Sequence, residues 1–488
     1  MRLLFFALGT LGLALTVGCG SGSTNGRIVI PKGNFSNANF IGSYVYQIAG
    51  KEFTNNSNPT GLPYRESGVL SADGSGHITA GTDDVVQGIG GPVTSVITGT
   101  YTIGNDGIGT LSLSTGFNFF ITLVSSSKAF LIAADPGLNA SGLVEKQDTT
   151  AITSMPSGTF AFHIHTLNAS LLPSARVGTM AVTSGAVTGN EDLNNNGTFS
   201  TPTIAGGSFT IPSAGRGDAN LNDGSGSVNF KYYIVDANNI RFLASDSGIV
   251  GIGSAEKQSG TLTLSGSYAF GSKGDTHNFI GGVNSVGRFT SDGVSAITGG
   301  VLDSVEDGNQ TVGSNFSGSL TPVDTKGRTV LTLSGTASVT EVVYVVSPSR
   351  GFFLINDPNK VEDGILDLQQ TSAFSKSTLS GQFAFVNDGF DTNPDFIDRV
   401  GTMNWDGNGN MTFHEAVNSG LSGGTGAQLL GFFPASYSVA GSGRATATIS
   451  NVSLTNNDFV FYLISGSDAY ILENDAGVEI SGVASKQQ

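Results

Sequence analysis

The sequence is poor in cysteine, tryptophan and histidine: its 488 residues include one Cys, one Trp and five His. A single cysteine excludes a disulfide framework within the chain and any zinc site built from several cysteines. Charged residues are also scarce at 12%, and the formal net charge is -16. Because this charge repels phosphate backbones, the composition argues against nucleic-acid binding.

A long apolar run is confined to the start of the chain, where residues 3–17 follow Arg2 and precede Gly18 and Cys19. The run has the length of a signal-peptide core and is too short to cross a bilayer comfortably. This start resembles the lipobox signal peptide of bacterial lipoproteins, although Thr16 stands where Leu is usual. The resemblance implies a signal peptide over 1–19 and a lipid on Cys19, which would become the mature N-terminus. The alternative is an ordinary cleaved signal with an incidental cysteine.

Residue 20 bears on the destination of the lipoprotein that this resemblance implies. Gly20 replaces the Asp that favours retention at the inner membrane in such lipoproteins, which implies the outer membrane or the cell surface. Residues 20–36 are rich in Gly, Ser and Asn, a composition typical of a flexible tether. We therefore expect the protein to be attached to the membrane through its N-terminal lipid.

Glycine, phenylalanine and internal repetition are what the sequence has in abundance. It contains 70 Gly and 31 Phe, and "LSGSYAF" at 264–270 has relatives at 40–46, 156–162 and 379–385. These stretches recur roughly every 110 residues, and each unit ends in a related tail: "VEKQ", "AEKQ", "DLQQ" or "SKQQ". A repeat of this length is a whole domain. The predicted domains are residues 37–149, 153–259, 262–371 and 375–488.

The pattern inside each unit predicts antiparallel strands. Short segments of alternating polarity are broken by Gly, Asn and Asp, Asp-Gly pairs mark tight hairpins, and no segment shows a sustained helical period. About eight strands of this kind predict an all-β fold in which each repeat closes into a small antiparallel up-and-down barrel, with a β-sandwich as the alternative. The architecture resembles avidin-like barrels, but Trp405 is the only tryptophan, so the biotin-site aromatics of that family have no counterpart.

Two further expectations concern how the barrels are packed. "GSYAF" is predicted to be the first strand of each barrel, with its two aromatics in the core and its Gly easing the bend. Strands such as "FVFYLIS" at 459–465 are apolar on both faces, so one face needs a cover outside its own barrel. We therefore expect the four repeats to pack against each other.

Loop lengths indicate which end of each barrel binds. Connections after the first and third strands are long, as at 51–66, 83–96, 191–206 and 415–430, whereas those after even strands are short. Long loops on one rim of a rigid scaffold are the usual place for binding. We expect that rim to gather acid as well, and the hypothesis is that some units bind Ca²⁺ there. The candidates are Asp83, Asp84, Asp135, Glu191, Asp192, Asp246, Asp303, Asp357, Glu415 and Asp475. The alternative is that these residues cap their own turns.

Other motifs carry less weight. "DLNNNG" at 192–197 matches half of an EF-hand loop, but Thr203 stands where the bidentate Glu is needed. His163 and His165 share a strand face, as a metal pair could, although a solvated face is the expected reading. "GLSGG" at 420–424 fits the nucleophile-elbow pattern by chance, because no strand-to-helix turn surrounds it.

These observations predict a lipid-anchored, non-enzymatic cell-surface protein that acts as a binding, adhesion or structural scaffold. Its expected partner is a polysaccharide or a surface protein, held by several repeats at once. No cofactor is expected apart from the calcium hypothesis. The alternatives are a carrier of small apolar ligands inside the barrels and a secreted hydrolase whose carboxylates meet only on folding.

Overall fold

The computed structural model describes residues 33–53, 61–224, 226–276, 282–335, 338–390, 396–419, 426–449 and 457–488. The predicted signal peptide, Cys19, most of the tether and the "GLSGG" stretch lie outside these residues. In the part that is described, no helix has the length and apolarity needed to cross a membrane. Among the described residues, the helical elements are two short 3-10 turns, Asn37–Asn39 and Lys376–Thr378.

The strands fall into four groups. The first group is β1 (Ile41–Glu52), β2 (Leu62–Asp73), β3 (His77–Gln87), β4 (Val93–Val96), β5 (Gly99–Ile103), β6 (Ile108–Leu113), β7 (Asn118–Ser125), β8 (Lys128–Ala133) and β9 (Leu138–Lys146). The second is β10 (Gly158–Asn168), β11 (Pro173–Thr183), β12 (Ala186–Asn195), β13 (Thr198–Ser200), β14 (Thr203–Ile204), β15 (Gly206–Phe209), β16 (Arg216–Asn222), β17 (Ser227–Asp236), β18 (Asn239–Ala244) and β19 (Ile249–Lys257).

The third and fourth groups have no broken strand. The third is β20 (Ser265–Thr276), β21 (Gly282–Asp292), β22 (Ala296–Glu306), β23 (Asn309–Leu320), β24 (Arg328–Ser334), β25 (Ser338–Ser347), β26 (Arg350–Asn356) and β27 (Lys360–Leu368). The fourth is β28 (Ser380–Phe390), β29 (Phe396–Asp406), β30 (Asn410–Ser419), β31 (Gln428–Val439), β32 (Arg444–Ile449), β33 (Asn457–Leu463), β34 (Asp468–Glu473) and β35 (Glu479–Lys486).

Each group closes into an antiparallel barrel. Neighbours in sequence pair throughout, and the first strand also pairs with the last, as β1 does with β9 and β28 with β35. In barrels 1 and 2 the fourth strand is interrupted and is built from β4 and β5, or from β13, β14 and β15. The prediction of four eight-stranded barrels is confirmed, and the sandwich alternative is wrong because every sheet returns to its own first strand.

The repeated "GSYAF" stretch begins each barrel for the reason expected from its pattern. Alternation puts its two aromatics on the inner face, and each pair is buried in the core of its own barrel: Tyr44 and Tyr46, Phe160 and Phe162, Tyr268 and Phe270, Phe383 and Phe385. The glycine just before each pair has a φ between 96° and 129°, a conformation that a side chain rarely adopts. The four starts therefore need glycine at this place.

Strands that are apolar on both faces are covered by a neighbouring barrel, as expected. In β33, Phe459 and Phe461 belong to the core of barrel 4, while Val460 and Tyr462 belong to a separate apolar cluster. That cluster also contains Val286 of barrel 3. The four barrels are consequently packed against each other by a second set of apolar clusters that lies between the barrels.

These contacts arrange the barrels in a closed ring. The first strands of each barrel pack on the last strands of the next one: β1 and β2 on β17–β19, β10 and β11 on β25–β27, and β20 and β21 on β33–β35. Barrel 4 uses the same surface, β28 and β29, against β7–β9 of barrel 1. Because every interface joins the same two surfaces in the same sense, the ring has approximate fourfold symmetry and no unused end.

A glutamine from each repeat tail forms a hydrogen bond to the neighbouring barrel, and we call each of these four contacts a latch. The side-chain amides of Gln147, Gln258, Gln369 and Gln487 each donate to a backbone carbonyl of the next barrel, at Ile234 (2.8 Å), Val345 (2.8 Å), Leu463 (2.8 Å) and Leu123 (2.6 Å). The backbone N–H of the following residue donates to the carbonyl of the next residue along in all four cases. Gln487 thus binds barrel 1, and its contact closes the circle.

Candidate functional site: the long-loop face of the ring

The rims at the ends of the first, third, fifth and seventh strands of all four barrels lie on one face of the ring. At each interface, residues near the long-loop end of one barrel contact residues near the long-loop end of the next. One hydrogen bond per interface illustrates this: Gly248 N to Ile89 O (2.8 Å), Asn194 Nδ2 to Lys360 O (2.9 Å), Asn284 Nδ2 to Glu479 O (2.6 Å) and Asn418 Nδ2 to Leu138 O (2.7 Å). We call this side of the ring the long-loop face and the opposite side the short-turn face.

The described start of the chain lies on the short-turn face. Phe35 N donates to Asn105 O (3.2 Å), and Ile103 N donates to the side chain of Asn37 (2.8 Å). Residues 103–106 end β5 and begin one of the short turns. The segment that precedes barrel 1 therefore meets the ring on the side opposite the long-loop face.

Several of the predicted long loops are partly strand. The stretch 191–206 contains the end of β12, β13 and β14, and the stretch 83–96 contains the end of β3 and β4. Sequence pattern missed these pairings because the strands are short and rich in Asn, Gly and Thr. In barrels 1 to 3 the third and fourth strands thus extend as two-stranded arms joined by short turns. The predicted contrast in loop length is wrong for barrels 2 and 3, where the longest connection follows the fourth strand, at 210–215 and 321–327.

The mouth of barrel 1 on this face holds an open cavity of about 520 Å³. It is lined by Glu52, Phe53, Thr115, Gly116, Phe117, Asp135, Pro136, Gly137 and Leu138. Phe117 packs edge-to-face on Tyr64, with 6.0 Å between the ring centroids, and closes the mouth against the filled interior. The cavity is accordingly a feature of the rim and does not continue through the barrel.

The turn aspartates join neighbouring strands at the rim. Asp135 accepts hydrogen bonds from the backbone and the side chain of Asn118 (2.8 and 2.7 Å), and Asp246 does the same with Asn229 (2.7 and 2.6 Å). Asp475 accepts a bond from Asp458 N (3.0 Å). Asp357 accepts one from Asn359 N within its own turn (2.8 Å). Three of the four thus fix another strand, and Asp357 fits the turn-cap alternative.

Three other calcium candidates lie between barrels. Asp84 accepts two hydrogen bonds from Arg216 (2.5 and 2.7 Å) and one from Tyr233 (2.6 Å), both in barrel 2. The same arrangement joins Asp192 to Arg328 and Tyr344, and Asp303 to Arg444 and Tyr462. We call each set an Asp-Arg-Tyr clamp. All three carboxylates are fully buried, and a bidentate arginine compensates each of these charges.

The remaining acids of the third strands point into the barrels. Asp83 accepts a hydrogen bond from Tyr46 (2.7 Å) beside Glu66, which accepts one from Tyr64 (2.6 Å). Burial, together with the neighbouring carboxyl, raises the pKa of Glu66 well above its usual range, and burial raises that of Asp83 to about 6. Glu191 pairs with Arg176 at 3.0 Å, and Glu415 is buried inside barrel 4.

The expectation of a shared acidic rim is therefore wrong for six of the ten candidates. Adjacent residues of a strand point to opposite sides, so Asp84, Asp192 and Asp303 face the next barrel while Asp83, Glu191 and Glu415 face their own interior. Within the described ranges, no group of three or more His, Cys, Asp or Glu residues could hold a metal ion. Calcium binding stays a prediction, and it now concerns the turn aspartates alone.

The two histidines face the junction between barrels and not open solvent, which corrects the sequence reading. His163 Nδ1 lies 3.0 Å from Asp363, and His165 lies 2.7 Å from Asp363 and 3.1 Å from Asp275, both in barrel 3. Burial lowers the pKa of His165, but the bonds with Asp275 and Asp363 outweigh burial and raise it to about 10. Asp192, which begins the half EF-hand motif, likewise pairs with an arginine side chain in place of a calcium ion.

A signal for the clamps is present in the sequence. Repeats 2, 3 and 4 each place an arginine after a Gly-containing turn, at Arg216, Arg328 and Arg444, and a tyrosine in the following strand, at Tyr233, Tyr344 and Tyr462. Placing the four repeats in register would have shown these columns together with the aspartates. The repetition could have indicated contact, although the identity of the partner barrel needs the fold.

The fold defines a class, an all-β chain of four closed barrels, and comparison with known proteins adds little to that. No family model and no curated protein matches the sequence. Solved structures with some similarity include a mutant of the vaccine antigen transferrin binding protein B from Haemophilus parasuis Hp5 (12% identity, 74% of this chain and 82% of that chain, TM-score 0.18). Intact Ap-TbpB, with N and C lobes, has 11% identity over 74% of this chain and 83% of its own, with a TM-score of 0.18. CghA has 9% identity over 84% of this chain and 92% of its own, with a TM-score of 0.15.

Proposed function

We propose that the protein is a lipid-anchored, non-enzymatic binding protein of the cell surface that engages a macromolecule through the long-loop face. The observation that carries this proposal is the polarity of the ring. The corresponding rims of all four barrels lie on one face, and the segment leading into barrel 1 meets the opposite face.

This polarity suits the anchor that the N-terminal sequence predicts. A lipid on Cys19 would be joined through residues 20–36 to the short-turn face of barrel 1. A tether of that composition lets the ring stand off the membrane. The long-loop face would then point away from the membrane, toward material outside the cell.

The partner is a surface polysaccharide or a protein, bound at several related places at once. The ring holds four similar rims at fixed spacing, so the second and later contacts form at high effective concentration. Interiors filled by large buried side chains, such as Tyr46, Phe119, Phe160 and Tyr268, favour binding on the outside over carriage of a ligand within the barrels.

Substitution on the two faces tests this proposal better than deletion of a repeat, because a missing barrel would break two interfaces. Val93, on the first strand after a long-loop connection, is 66% exposed, and Val294, in a short turn, is 65% exposed. The full chain in detergent would be screened on arrays of polysaccharides and surface glycans and against intact cells. We expect Val93→Glu to weaken binding at least tenfold and Val294→Glu to leave it unchanged. Equal effects of the two would contradict the proposal.

A further inference from the structure

One interface of the ring joins barrels that are not consecutive in the chain. Barrel 4 packs β28 and β29 on β7–β9 of barrel 1, and we call this interface the seam. Its apolar cluster includes Val124, Phe130, Ala384 and Val400. At the other three interfaces a short connecting segment holds the two barrels together, whereas the seam depends on non-covalent contacts alone.

The seam is the one interface that lacks the Asp-Arg-Tyr clamp. Strand pairing identifies the matching positions. Ala416 pairs with Val400 just as Asp192 pairs with Val177, so Ala416 stands in place of the clamp aspartate. Ile108 pairs with Thr122 just as Arg216 pairs with Tyr233. At the seam, Ile108 therefore stands in place of the clamp arginine and Thr122 in place of the clamp tyrosine. All three clamp residues are thus absent from the seam, the aspartate from barrel 4 and the arginine and tyrosine from barrel 1.

Two buried hydroxyl groups at the seam have no hydrogen-bond partner among the described residues. Thr122 stands where a clamp tyrosine would donate, and its hydroxyl is fully buried without a hydrogen-bond partner among the described residues. The hydroxyl of Thr402, on the face of β29 that carries Val400, is in the same state. Buried polar atoms without partners destabilise an interface.

The contacts that remain are apolar packing, amide hydrogen bonds and a contact of 2.8 Å between His414 Nδ1 of barrel 4 and Asp106 Oδ2 of barrel 1. Asn139 Nδ2 donates to Asn418 O (2.9 Å), Asn418 Nδ2 donates to Leu138 O (2.7 Å), and Gln487 donates to Leu123 O. The amide bonds are neutral, and the His414–Asp106 contact is partly exposed and charged only when the histidine is protonated, so none of them reproduces the fully buried carboxylate and bidentate arginine of a clamp. We propose that the ring opens at the seam while the three clamped interfaces stay closed, so that the long-loop face alternates between a closed circle and an open arc.

Opening of this kind is reversible because the chain keeps the two surfaces near each other. Barrels 1 and 4 remain joined through barrels 2 and 3, so reclosure takes place at high effective concentration. The proposal concerns the ring alone and does not depend on what the long-loop face binds.

Thiol labelling at matched positions tests the proposal. Val400 at the seam, Val177 between barrels 2 and 3, and Val286 between barrels 3 and 4 occupy corresponding sites and are at most 1% exposed. Each would be changed to Cys in the full chain, and the labelling rate at that site followed by peptide mass spectrometry, which separates it from Cys19. We expect Val400→Cys to react at least tenfold faster than Val177→Cys and Val286→Cys. Equal rates would overturn the proposal.

Adding the missing clamp gives an independent test. Ile108→Arg, Thr122→Tyr and Ala416→Asp together should slow labelling at Val400→Cys toward the rate of the other two sites. If this variant does not fold, Gln487→Ala removes the last latch without burying a charge, and it should raise the labelling rate at Val400→Cys alone. A rise of the same size at Val177→Cys would contradict an opening confined to the seam.

Discussion

Buried carboxyl groups behave in opposite ways according to whether a cationic side chain of a neighbouring barrel bonds to them. Inside, burial raises the pKa of Asp83 to about 6, of Glu191 to about 7 and of Glu341 to about 8. Between barrels, burial acts in the same direction, but hydrogen bonds from Arg216, Thr94 and Tyr233 outweigh it and hold the pKa of Asp84 below its usual value.

The acids at the junction of barrels 2 and 3 show the same reversal. Hydrogen bonds from His163 and His165 outweigh burial at Asp363, so its pKa lies well below the ordinary value, and the bond from His165 lowers that of Asp275. Comparable burial therefore gives a proton-binding acid inside a barrel and an ionised partner where a neighbouring barrel supplies a cationic side chain. Glu479, whose carboxylate accepts backbone N–H groups of barrel 3, has a pKa that burial raises. The cationic side chain of a neighbouring barrel makes the difference.

The largest expected effect is the loss of a clamp. Asp84→Ala leaves Arg216 and Tyr233 without their shared acceptor in a site where the carboxylate is fully buried. We expect the free energy of unfolding at pH 7, from urea titration, to fall by about 3 to 5 kcal/mol. The matched interior change, Glu341→Gln, should cost little at pH 7, because that acid is already protonated there. Equal losses in the two variants would abolish the distinction between the two kinds of site.

The second effect is a pH dependence of the junction. The folded pKa of His165 is about 10, above the ordinary value of 6.5, so its contribution is complete below about pH 6.5 and is lost as the pH rises toward 10. We expect roughly 3 kcal/mol to disappear over this range. His165→Gln should flatten that part of the stability profile, whereas His77→Gln, on a side chain that is 64% exposed, should not. Parallel profiles for wild type and His165→Gln would refute the assignment.

The third effect has its pH window on the acid side of neutrality. Asp83 and Glu66 bind protons more tightly in the folded barrel than in the unfolded chain, so their contribution is complete near pH 4 and is lost as the pH rises through about 6. Glu66→Gln removes a carboxyl group that holds its proton in the folded barrel and releases it on unfolding at pH 7, and we expect it to stabilise barrel 1 by roughly 2 kcal/mol at that pH. Thermal unfolding at pH 4 and pH 7 measures the difference. A difference between variant and wild type that is no larger at pH 7 than at pH 4 would contradict the raised pKa of Glu66.

The smallest effect is the loss of a neutral latch. Gln369→Ala removes the donor to Leu463 O and Ser442 O, and we expect a cost of about 1 to 2 kcal/mol in thermal or urea unfolding. Gln370→Ala is the matched control, because its side chain is exposed and its backbone N–H still donates to Ile464 O. If the two variants lost equal stability, the latch would carry no specific energy.

The barrels could be predicted from the sequence because their signals are local. Tyr268 and Phe270 alternate with Ala269, and Asp-Gly turns follow at fixed places, so the strand pattern and the repeat length specify the fold. The ring could not be predicted in this way. Its closing bond joins Gln487 to Leu123, which lie 364 positions apart, and no short-range pattern encodes that pairing.

The site was predicted only in part, for a related reason. Asp83 and Asp84 are neighbours in sequence, yet one lies inside barrel 1 and the other faces barrel 2. Strand alternation puts them on opposite sides, but which side meets an arginine depends on how barrels pack. A buried carboxylate such as Asp84 is stable only beside an opposite charge, and its partner Arg216 is 132 residues away in the chain.

The place of the last latch in chain order has a consequence for biosynthesis. Gln487 and Gln488 follow all four barrels, so a ribosome must finish every repeat before the circle can close. A chain interrupted before residue 487 would leave the apolar surfaces around Val124 and Val400 less firmly covered. Cellular quality control acts on chains that expose such surfaces. Ring closure would thus mark a product whose translation has passed the fourth repeat.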